Sequence, residues 1–256
     1  MSFNGYLEMD ININGIDVTE ITPMSYKPLG AIIYYHGYTS SRARSMFRCQ
    51  ILASMGYDVF VVEQLGHGSR KSEFNINAVS DAEALPKVLI NTITESPSIV
   101  NYVAEKKGYN PNDIIFAGHS MGAMAAAGAF VKNPVGKLIC YNGVLDYLAF
   151  ADWIAKFDNI SEEVYKPIKN ELRYYSPAEN LSRLENRPII LVDGALDEIV
   201  PPKFNIETAS ALKPFYKKKS LFKHIVLDDA KHQMTVKAME FTEMFLESDG
   251  VKDYGK

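Results

Sequence analysis

The sequence predicts an α/β fold: a mostly parallel central sheet with helices on both faces, an N-terminal antiparallel hairpin and a small helical lid. Short β-rich runs alternate with longer helical patterns along the 256 residues, and the inner strands are continuous apolar runs, as in strands buried on both faces. Hydrophobic residues make up 47% of the chain and charged residues 23%, so a sizeable core can form. We find no interdomain linker and no repeat, so we expect one domain over residues 1–256.

The chain opens with a predicted β-hairpin, because Asn14-Gly15 stands between two β-prone runs. The further strands are predicted at 31–35, 57–63, 114–117, 138–141, 189–192 and 224–227. The helices are predicted at 41–55, about 78–107, 121–132, 205–216 and 235–247. The second helix can either continue or break near Ser96-Pro97, because the residue before a proline disfavours helical geometry.

Residues 146–180 interrupt the strand–helix alternation and are rich in aromatic side chains. Tyr147, Phe150 and Ile154 fall at helical spacing and form one apolar face. We predict that this lid segment, defined as residues 146–180, covers the active edge of the sheet and that Tyr147, Phe150 and Trp153 contact the substrate. The alternative is an ordinary crossover enlarged by one packed helix.

Charge and cysteine content exclude several classes of protein. Lys and Arg number 27 against 31 Asp and Glu, so the net charge of −4 argues against general nucleic acid binding, which needs a basic face. Cys49 and Cys140 alone cannot form a disulfide framework or a cysteine zinc site. The first 14 residues carry two acidic and no basic side chains, so we expect no signal peptide. No run approaches 18 uncharged apolar residues, so we expect no membrane span and a cytoplasmic location. The oligomeric state stays open.

A G-x-S-x-G motif, Gly118 to Gly122, follows a buried strand and precedes an Ala-rich helix. This strand–turn–helix context is what the motif requires to expose a nucleophilic serine at the carboxyl edge of the sheet. Ser120 is therefore the predicted nucleophile. The alternative is a serine that only caps a buried helix.

The loop His36-Gly37-Tyr38-Thr39-Ser40 follows the first central strand. Acyl transfer needs two hydrogen-bond donors for the oxyanion, and we assign them to the backbone N–H groups of Tyr38 and Met121. We expect His36 to brace this loop through hydrogen bonds and not to act as the base.

An acid and a base are expected after the last two strands. Asp197 is the predicted acid that orients a histidine; Asp193 lies nearer the strand end, and Glu198 is the fallback. His232, in the loop after the final strand, is the predicted general base because it can swing over the sheet edge to Ser120. The remaining histidines are set aside: His119 flanks the nucleophile inside the turn, His67 and His36 lie in loops, and His224 starts a strand.

The chain resembles the α/β-hydrolase superfamily over about residues 25–250, through HGYTS, EQLGHGSR, GHSMG, DGALDEIVP and DDAKHQM. Within it, the chain is similar to small bacterial serine esterases related to dienelactone hydrolases and prolyl-oligopeptidase-type catalytic domains. The order Ser120, Asp197, His232 matches this fold. The resemblance implies these three as nucleophile, acid and base, with the Tyr38 amide in the oxyanion hole. Glu63 departs from it, since many relatives carry aspartate there.

These features predict a serine hydrolase that cleaves carboxylic esters through a covalent acyl-enzyme, in the carboxylesterase class EC 3.1.1. The expected partner is a small-molecule ester with an apolar acyl or aryl group. No metal or organic cofactor is expected, because the chain has no HExxH, P-loop or dinucleotide fingerprint. A peptidase or a thioesterase with the same triad, and a noncatalytic ligand receptor, remain alternatives.

Overall fold

The computed structural model describes residues 5–24 and 26–248. In this part of the chain, eight strands form one sheet in the order β1-β2-β4-β3-β5-β6-β7-β8. The strands are β1 (Tyr6–Ile13), β2 (Ile16–Pro23), β3 (Ala31–Tyr35), β4 (Asp58–Val62), β5 (Ile114–His119), β6 (Lys137–Tyr141), β7 (Ile189–Gly194) and β8 (Phe222–Leu227). The α-helices are α1 (Arg42–Ser54), α2 (Asp81–Asn101), α3 (Met121–Lys132), α4 (Tyr147–Phe157), α5 (Glu162–Arg173), α6 (Lys203–Leu212) and α7 (Val236–Ser248).

The N-terminal hairpin is formed by β1 and β2, which pair antiparallel. Asn14 and Gly15 both adopt positive φ, at 52° and 90°, as a two-residue hairpin turn of this kind requires. β2 also pairs antiparallel with β4, whereas β3 to β8 run parallel to one another. The predicted architecture, a mostly parallel sheet with an antiparallel N-terminal pair, is confirmed.

The sheet has a hydrophobic core on each face, because successive side chains of a strand point to opposite sides. Ile33 and Tyr35 of β3 belong to the core that includes side chains of α2, α3 and α4. Ile32 and Tyr34 belong to the core on the other face, which includes side chains of α1 and α7. This double coverage explains why the inner strands are continuous apolar runs in the sequence.

Of the two alternatives near Ser96-Pro97, the structure has the continuous helix, because α2 continues through Pro97. Proline cannot donate the N–H that would bond the carbonyl of Ile93, four residues earlier. The hydroxyl of Ser96 donates to that carbonyl at 2.7 Å instead. The orphaned acceptor is therefore satisfied locally, and the helix passes the proline.

The lid segment folds into α4, α5 and a 3₁₀ turn at Pro177–Leu184. Asp146 caps α4, since its carboxylate accepts hydrogen bonds from the backbone N–H groups of Leu148 and Ala149 at 3.1 and 3.0 Å. Elsewhere the helix predicted up to residue 216 ends at Leu212, followed by a 3₁₀ turn that contains Pro214. Within the described ranges, no helix has both the length and the apolar character needed to cross a membrane.

Candidate active site

Ser120 occupies a strained turn between β5 and α3. Its backbone has φ 57° and ψ −125°, a conformation that non-glycine residues rarely adopt and that is found mostly at functional sites. The serine flanks the first turn of α3, but its side chain makes no capping hydrogen bond there. The interpretation of Ser120 as a simple helix cap therefore has no support.

The two glycines of the motif make this sharp turn sterically feasible. A Cβ atom on Gly118 would overlap the carbonyl oxygen of Gly122. A Cβ atom on Gly122 would overlap the carbonyl oxygens of Tyr35 and His36 at the end of β3. The absence of side chains at these two positions lets α3 start directly against β3, with Ser120 half-buried at the sheet edge.

Asp197 and His232 meet at the carboxyl edge of the sheet, although 35 residues separate them. Nδ1 of His232 lies 2.7 Å from Oδ2 of Asp197. The other carboxylate oxygen accepts the backbone N–H groups of Ile199 and Val200 at 3.0 and 2.9 Å. Burial alone raises the pKa of Asp197, but the hydrogen bonds from His232, Val200 and Asn142 outweigh it, so the pKa lies below the usual value. An ionised Asp197 can therefore orient His232 and stabilise its protonated form.

Asn142 is a further member of this network that the sequence analysis did not single out. Its amide nitrogen donates to Oδ2 of Asp197 at 3.0 Å, the same oxygen that His232 contacts. Asn142 directly follows β6, has a φ of 49° and is buried. Its position after a predicted strand is the signal that could have identified it, since side chains at strand ends meet at this edge.

Replacing Asn142 by glycine is expected to lower kcat about 10-fold with little change in KM. A hydrogen bond to a charged group typically contributes about 1.5–3 kcal/mol. Without the bond from Asn142, Asp197 is held less firmly and orients His232 less well. With one donor removed, Oδ2 of Asp197 binds the His232 proton more strongly, so the acidic limb of the kcat/KM profile should move to higher pH. Steady-state kinetics between pH 5 and pH 9 measure both effects.

Asn186→Gly is the matched control, because Asn186 has a similar φ of 54° and lies outside this network. Glycine relieves the same backbone strain in both variants. An acidic limb that stays in place in Asn142→Gly would contradict the positioning role.

His232 lies next to the turn that carries Ser120. The ring of His232 is 4.9 Å from the ring of His119, which directly precedes Ser120. Burial, with the charge of His232 as a smaller contribution, lowers the pKa of His119 to about 3, so its ring is neutral near pH 7. Among the described residues, the Ser120 hydroxyl has no hydrogen-bond partner. The bond from nucleophile to base often tightens only when substrate is bound.

The loop after β3, which carries one donor of the predicted oxyanion hole, packs against Ser120. A Cβ atom built on Gly37 would lie 3.4 Å from Cβ of Ser120. Tyr38 and Met121 line the same cavity as Ser120. Within the described part of the chain, their backbone N–H groups form no intramolecular hydrogen bond. Both donors are therefore available to a developing oxyanion.

Two buried histidines hold this loop in place. His36 lies 2.8 Å from the carboxylate of Glu63 through Nε2, and its Nδ1 lies 2.9 Å from the carbonyl oxygen of Gly37. His67 Nε2 accepts the backbone N–H of Thr39 at 3.1 Å. These contacts agree with the bracing role expected for His36 and place Glu63 beneath the loop.

Asp193 and His224 form a second acid–histidine pair, away from the nucleophile. Oδ2 of Asp193 lies 2.8 Å from Nε2 of His224, and the Asn205 amide donates to both carboxylate oxygens at 3.1 and 3.0 Å. Burial raises the pKa of Asp193 despite these bonds. Asn205 also donates to the carbonyl of Gly143 at 2.7 Å, so this pair ties β7 and β8 to the loop after β6.

The Ser120 cavity is an open pocket of about 360 Å³ between the sheet edge and α4. We define it by its lining residues: Tyr38, Asp81, Leu85, Ser120, Met121, Met124, Phe150, Trp153, Ile154, Phe157, Asp158, Glu198, Ile199 and Val200. Phe150 and Trp153, both predicted substrate contacts, thus face this cavity. The third, Tyr147, does not line it: its side chain is buried and its hydroxyl donates to the carbonyl of Met124.

Comparisons with known proteins identify the family of the chain and a shared fold. A model of the prolyl oligopeptidase family matches residues 43–247. The chain is 25% identical over 213 residues to esterase YjfP of Escherichia coli (strain K12), and the aligned region covers 77% of this chain and 81% of YjfP. It is 23% identical over 234 residues to the putative esterase YitV of Bacillus subtilis (strain 168), covering 86% and 91% of the two chains. The solved structure of TT1662 from Thermus thermophilus matches with a TM-score of 0.78 at 19% identity, covering 95% and 98%, which shows a shared fold.

Proposed function

Because the chain belongs to the prolyl oligopeptidase family of serine hydrolases, within the α/β-hydrolase superfamily, we propose that it is a carboxylesterase with Ser120 as nucleophile. His232 is the proposed general base and Asp197 the acid that orients it. The observation that carries this proposal is the 2.7 Å contact between His232 and Asp197 beside the strained turn at Ser120. The names of the two relatives, both esterases, support the choice of esters as substrates.

The proposed reaction proceeds in two acyl-transfer steps. His232 takes the proton of Ser120 while Oγ attacks the ester carbonyl carbon, and the resulting oxyanion accepts the N–H groups of Tyr38 and Met121. The bond to the alcohol oxygen then breaks, and His232 returns the proton to that oxygen. Water next attacks the acyl-enzyme with His232 as base, the bond to Oγ breaks, and Ser120 regains its proton. Asp197 fixes the imidazole tautomer and stabilises its protonated form throughout.

The proposed substrate is a small ester whose acyl or aryl group has an apolar body. Phe150, Trp153 and Ile154 of α4 supply an apolar wall above Ser120. A rim of aromatic and aliphatic side chains with a few polar groups is typical of small-molecule sites. In this proposal the lid segment sets the length of acyl group that fits, while the chemical step depends on the sheet-edge loops. The expected cytoplasmic location remains a prediction from the sequence.

A peptidase is the second candidate, and the family match is the observation that favours it. The same triad can attack an amide carbonyl, which differs from an ester mainly in its poorer leaving group. Turnover of p-nitrophenyl esters and of aminoacyl p-nitroanilides with matched acyl groups separates the two. We expect kcat/KM to be higher for the esters.

A fluorophosphonate probe is expected to label the protein covalently at Ser120. The probe reacts only with a serine hydroxyl that is activated by a base and flanked by oxyanion donors. Ser120→Ala should abolish labelling, whereas Ser40→Ala, in the neighbouring loop, should leave it intact. Mass spectrometry of the labelled peptide identifies the site. A folded protein that never labels would argue for the noncatalytic receptor.

A further inference from the structure

The Ser120 cavity carries charge of only one sign. Three acidic residues line it, Asp81 at the start of α2, Asp158 just after α4 and Glu198 beside the proposed acid. No lysine or arginine is among the lining residues. Within the described part of the chain, none of the three carboxylates lies within 4 Å of a lysine or arginine nitrogen in an ion pair. A charged substrate group in this cavity therefore lies nearest to negative side chains; all three are exposed, so solvent and salt weaken the attraction for a cation but leave its sign.

Two of these carboxylates are held in place by the protein and still keep an oxygen free. The hydroxyl of Tyr38 donates to Oδ1 of Asp81 at 3.1 Å. The backbone N–H of Ala82 donates to Oδ2 of Asp158 at 2.9 Å, which brings the end of α4 to the start of α2. The second oxygen of each carboxylate has no partner among the described residues. Both side chains are thus positioned and remain able to interact with a ligand.

Aromatic rings in the same cavity add a second attraction for cations. The rings of Trp153 and Phe157 lie edge to face with centroids 4.7 Å apart. Phe157 is 69% exposed although it is a large apolar side chain, and it lines the cavity together with Tyr38. Exposed aromatic faces beside carboxylates are the environment that binds ammonium groups, above all quaternary ones.

We propose that the Ser120 cavity selects esters whose acyl group carries a cationic ammonium at its far end and discriminates against esters with an anionic acyl group. This inference rests on the proposed esterase function and names its substrate class. The apolar wall from α4 accommodates the methylene chain, the aromatic rings contact the ammonium, and the three carboxylates supply the field that favours it.

Several cations near the site are not among the residues that line the cavity. Arg44 and Lys71 line a separate pocket, together with Thr39 and Ser41. Ser120 is not among the residues of that pocket. Lys203 lies over the ring of Phe204, 5.1 Å from its centroid, and is not part of the cavity lining.

Three p-nitrophenyl esters with one leaving group and different terminal charges test the proposal. The cationic ester carries a 4-(trimethylammonio)butyryl group, the neutral one its carbon isostere 5,5-dimethylhexanoyl, and the anionic one a glutaryl group. Each kcat/KM is divided by the rate constant for hydroxide-catalysed hydrolysis of the same ester, which removes differences in intrinsic reactivity. We expect the cationic ester to exceed the neutral isostere about 10-fold and the anionic ester to fall below it.

Variants identify the origin of the preference. Asp81→Asn and Asp158→Asn keep an acceptor for Tyr38 and Ala82, and Glu198→Gln keeps the shape of the side chain. The triple variant should bring the cationic-to-neutral ratio close to 1; the ratio is the readout, because both esters are measured on the same variant. Glu105→Gln, an exposed residue outside the cavity, is the matched control and should keep the full ratio. Raising the salt concentration should shrink the ratio in the unmodified protein.

Two outcomes overturn the inference: a ratio near or below 1 in the unmodified protein, or a high ratio that the triple variant retains. Either result, with the neutral ester still hydrolysed and Ser120 labelled, removes the charge preference and leaves the esterase in place. If the neutral ester is not hydrolysed and Ser120 does not label, the proposed function itself fails.

Discussion

Replacing His232 by alanine is expected to lower kcat for ester hydrolysis by roughly 10⁴–10⁶, and Ser120→Ala by a similar factor. Without the imidazole, no group removes the proton of Ser120 or protonates the leaving alcohol. Asp197→Asn should cost somewhat less, because it changes the orientation and tautomer of His232 but keeps the ring. Single-turnover and steady-state rates with p-nitrophenyl butyrate measure these losses, provided that circular dichroism shows an unchanged fold.

His224→Gln is the matched control for this prediction. His224 is also paired with a buried aspartate, Asp193, at 2.8 Å, but it lies in β8, away from the nucleophile. Glutamine keeps an N–H donor for that carboxylate, so activity should remain within a few-fold of the unmodified protein. Near-full esterase activity in His232→Ala, or an equal loss in His224→Gln, would show that the base has been assigned to the wrong histidine.

Replacing Gly122 by alanine is expected to destabilise the fold by about 3 kcal/mol or more and to abolish most of the activity. The added methyl would overlap the carbonyl oxygens of Tyr35 and His36, and backbone atoms cannot move aside as a flexible side chain can. Relief requires α3 to shift away from β3, which displaces Ser120 from the oxyanion donors. Urea unfolding measures the loss of stability, and fluorophosphonate labelling measures the displacement.

Gly5→Ala provides the comparison for the glycine substitution. A Cβ atom at Gly5 would meet Sδ of Met24 at 3.5 Å, an ordinary contact, so stability should change by less than about 0.5 kcal/mol. If Gly122→Ala unfolds at the same urea concentration as the unmodified protein, the close approach of α3 to β3 is not what fixes this turn.

The proposed catalytic residues could be selected from the sequence because each of them lies in a loop that follows a predicted strand. Parallel strands bring their carboxyl ends together, so the sequence predicts that Ser120, Asp197 and His232 converge at this edge, where Asp197 and His232 are in contact at 2.7 Å. The same rule explains the position of Asn142, although asparagine after a strand is too common to single out. The hairpin was predictable because Asn14-Gly15 encodes its own turn.

Contacts between distant helices could not be predicted in this way. The meeting of Asp158 with the backbone of Ala82 joins residues 76 positions apart, and no local pattern encodes it. Helical spacing correctly placed Tyr147 and Phe150 on one face of α4, but it did not show that Tyr147 turns towards Met124 inside the core. At Pro97 a neighbouring hydroxyl outweighed the general effect of proline on helices.

The positive φ at Ser120 places thermodynamic stability and catalytic activity in conflict at a single residue. Only glycine occupies such a backbone conformation at low cost, and glycine carries no hydroxyl. Selection for thermal stability alone would favour glycine at position 120. Selection for catalysis keeps the serine, and other interactions must then offset the cost of its strained backbone. In this chain the helix that follows Ser120, α3, is alanine-rich and buried from Met121 to Val131, and burial of this kind stabilises the fold around the strained residue.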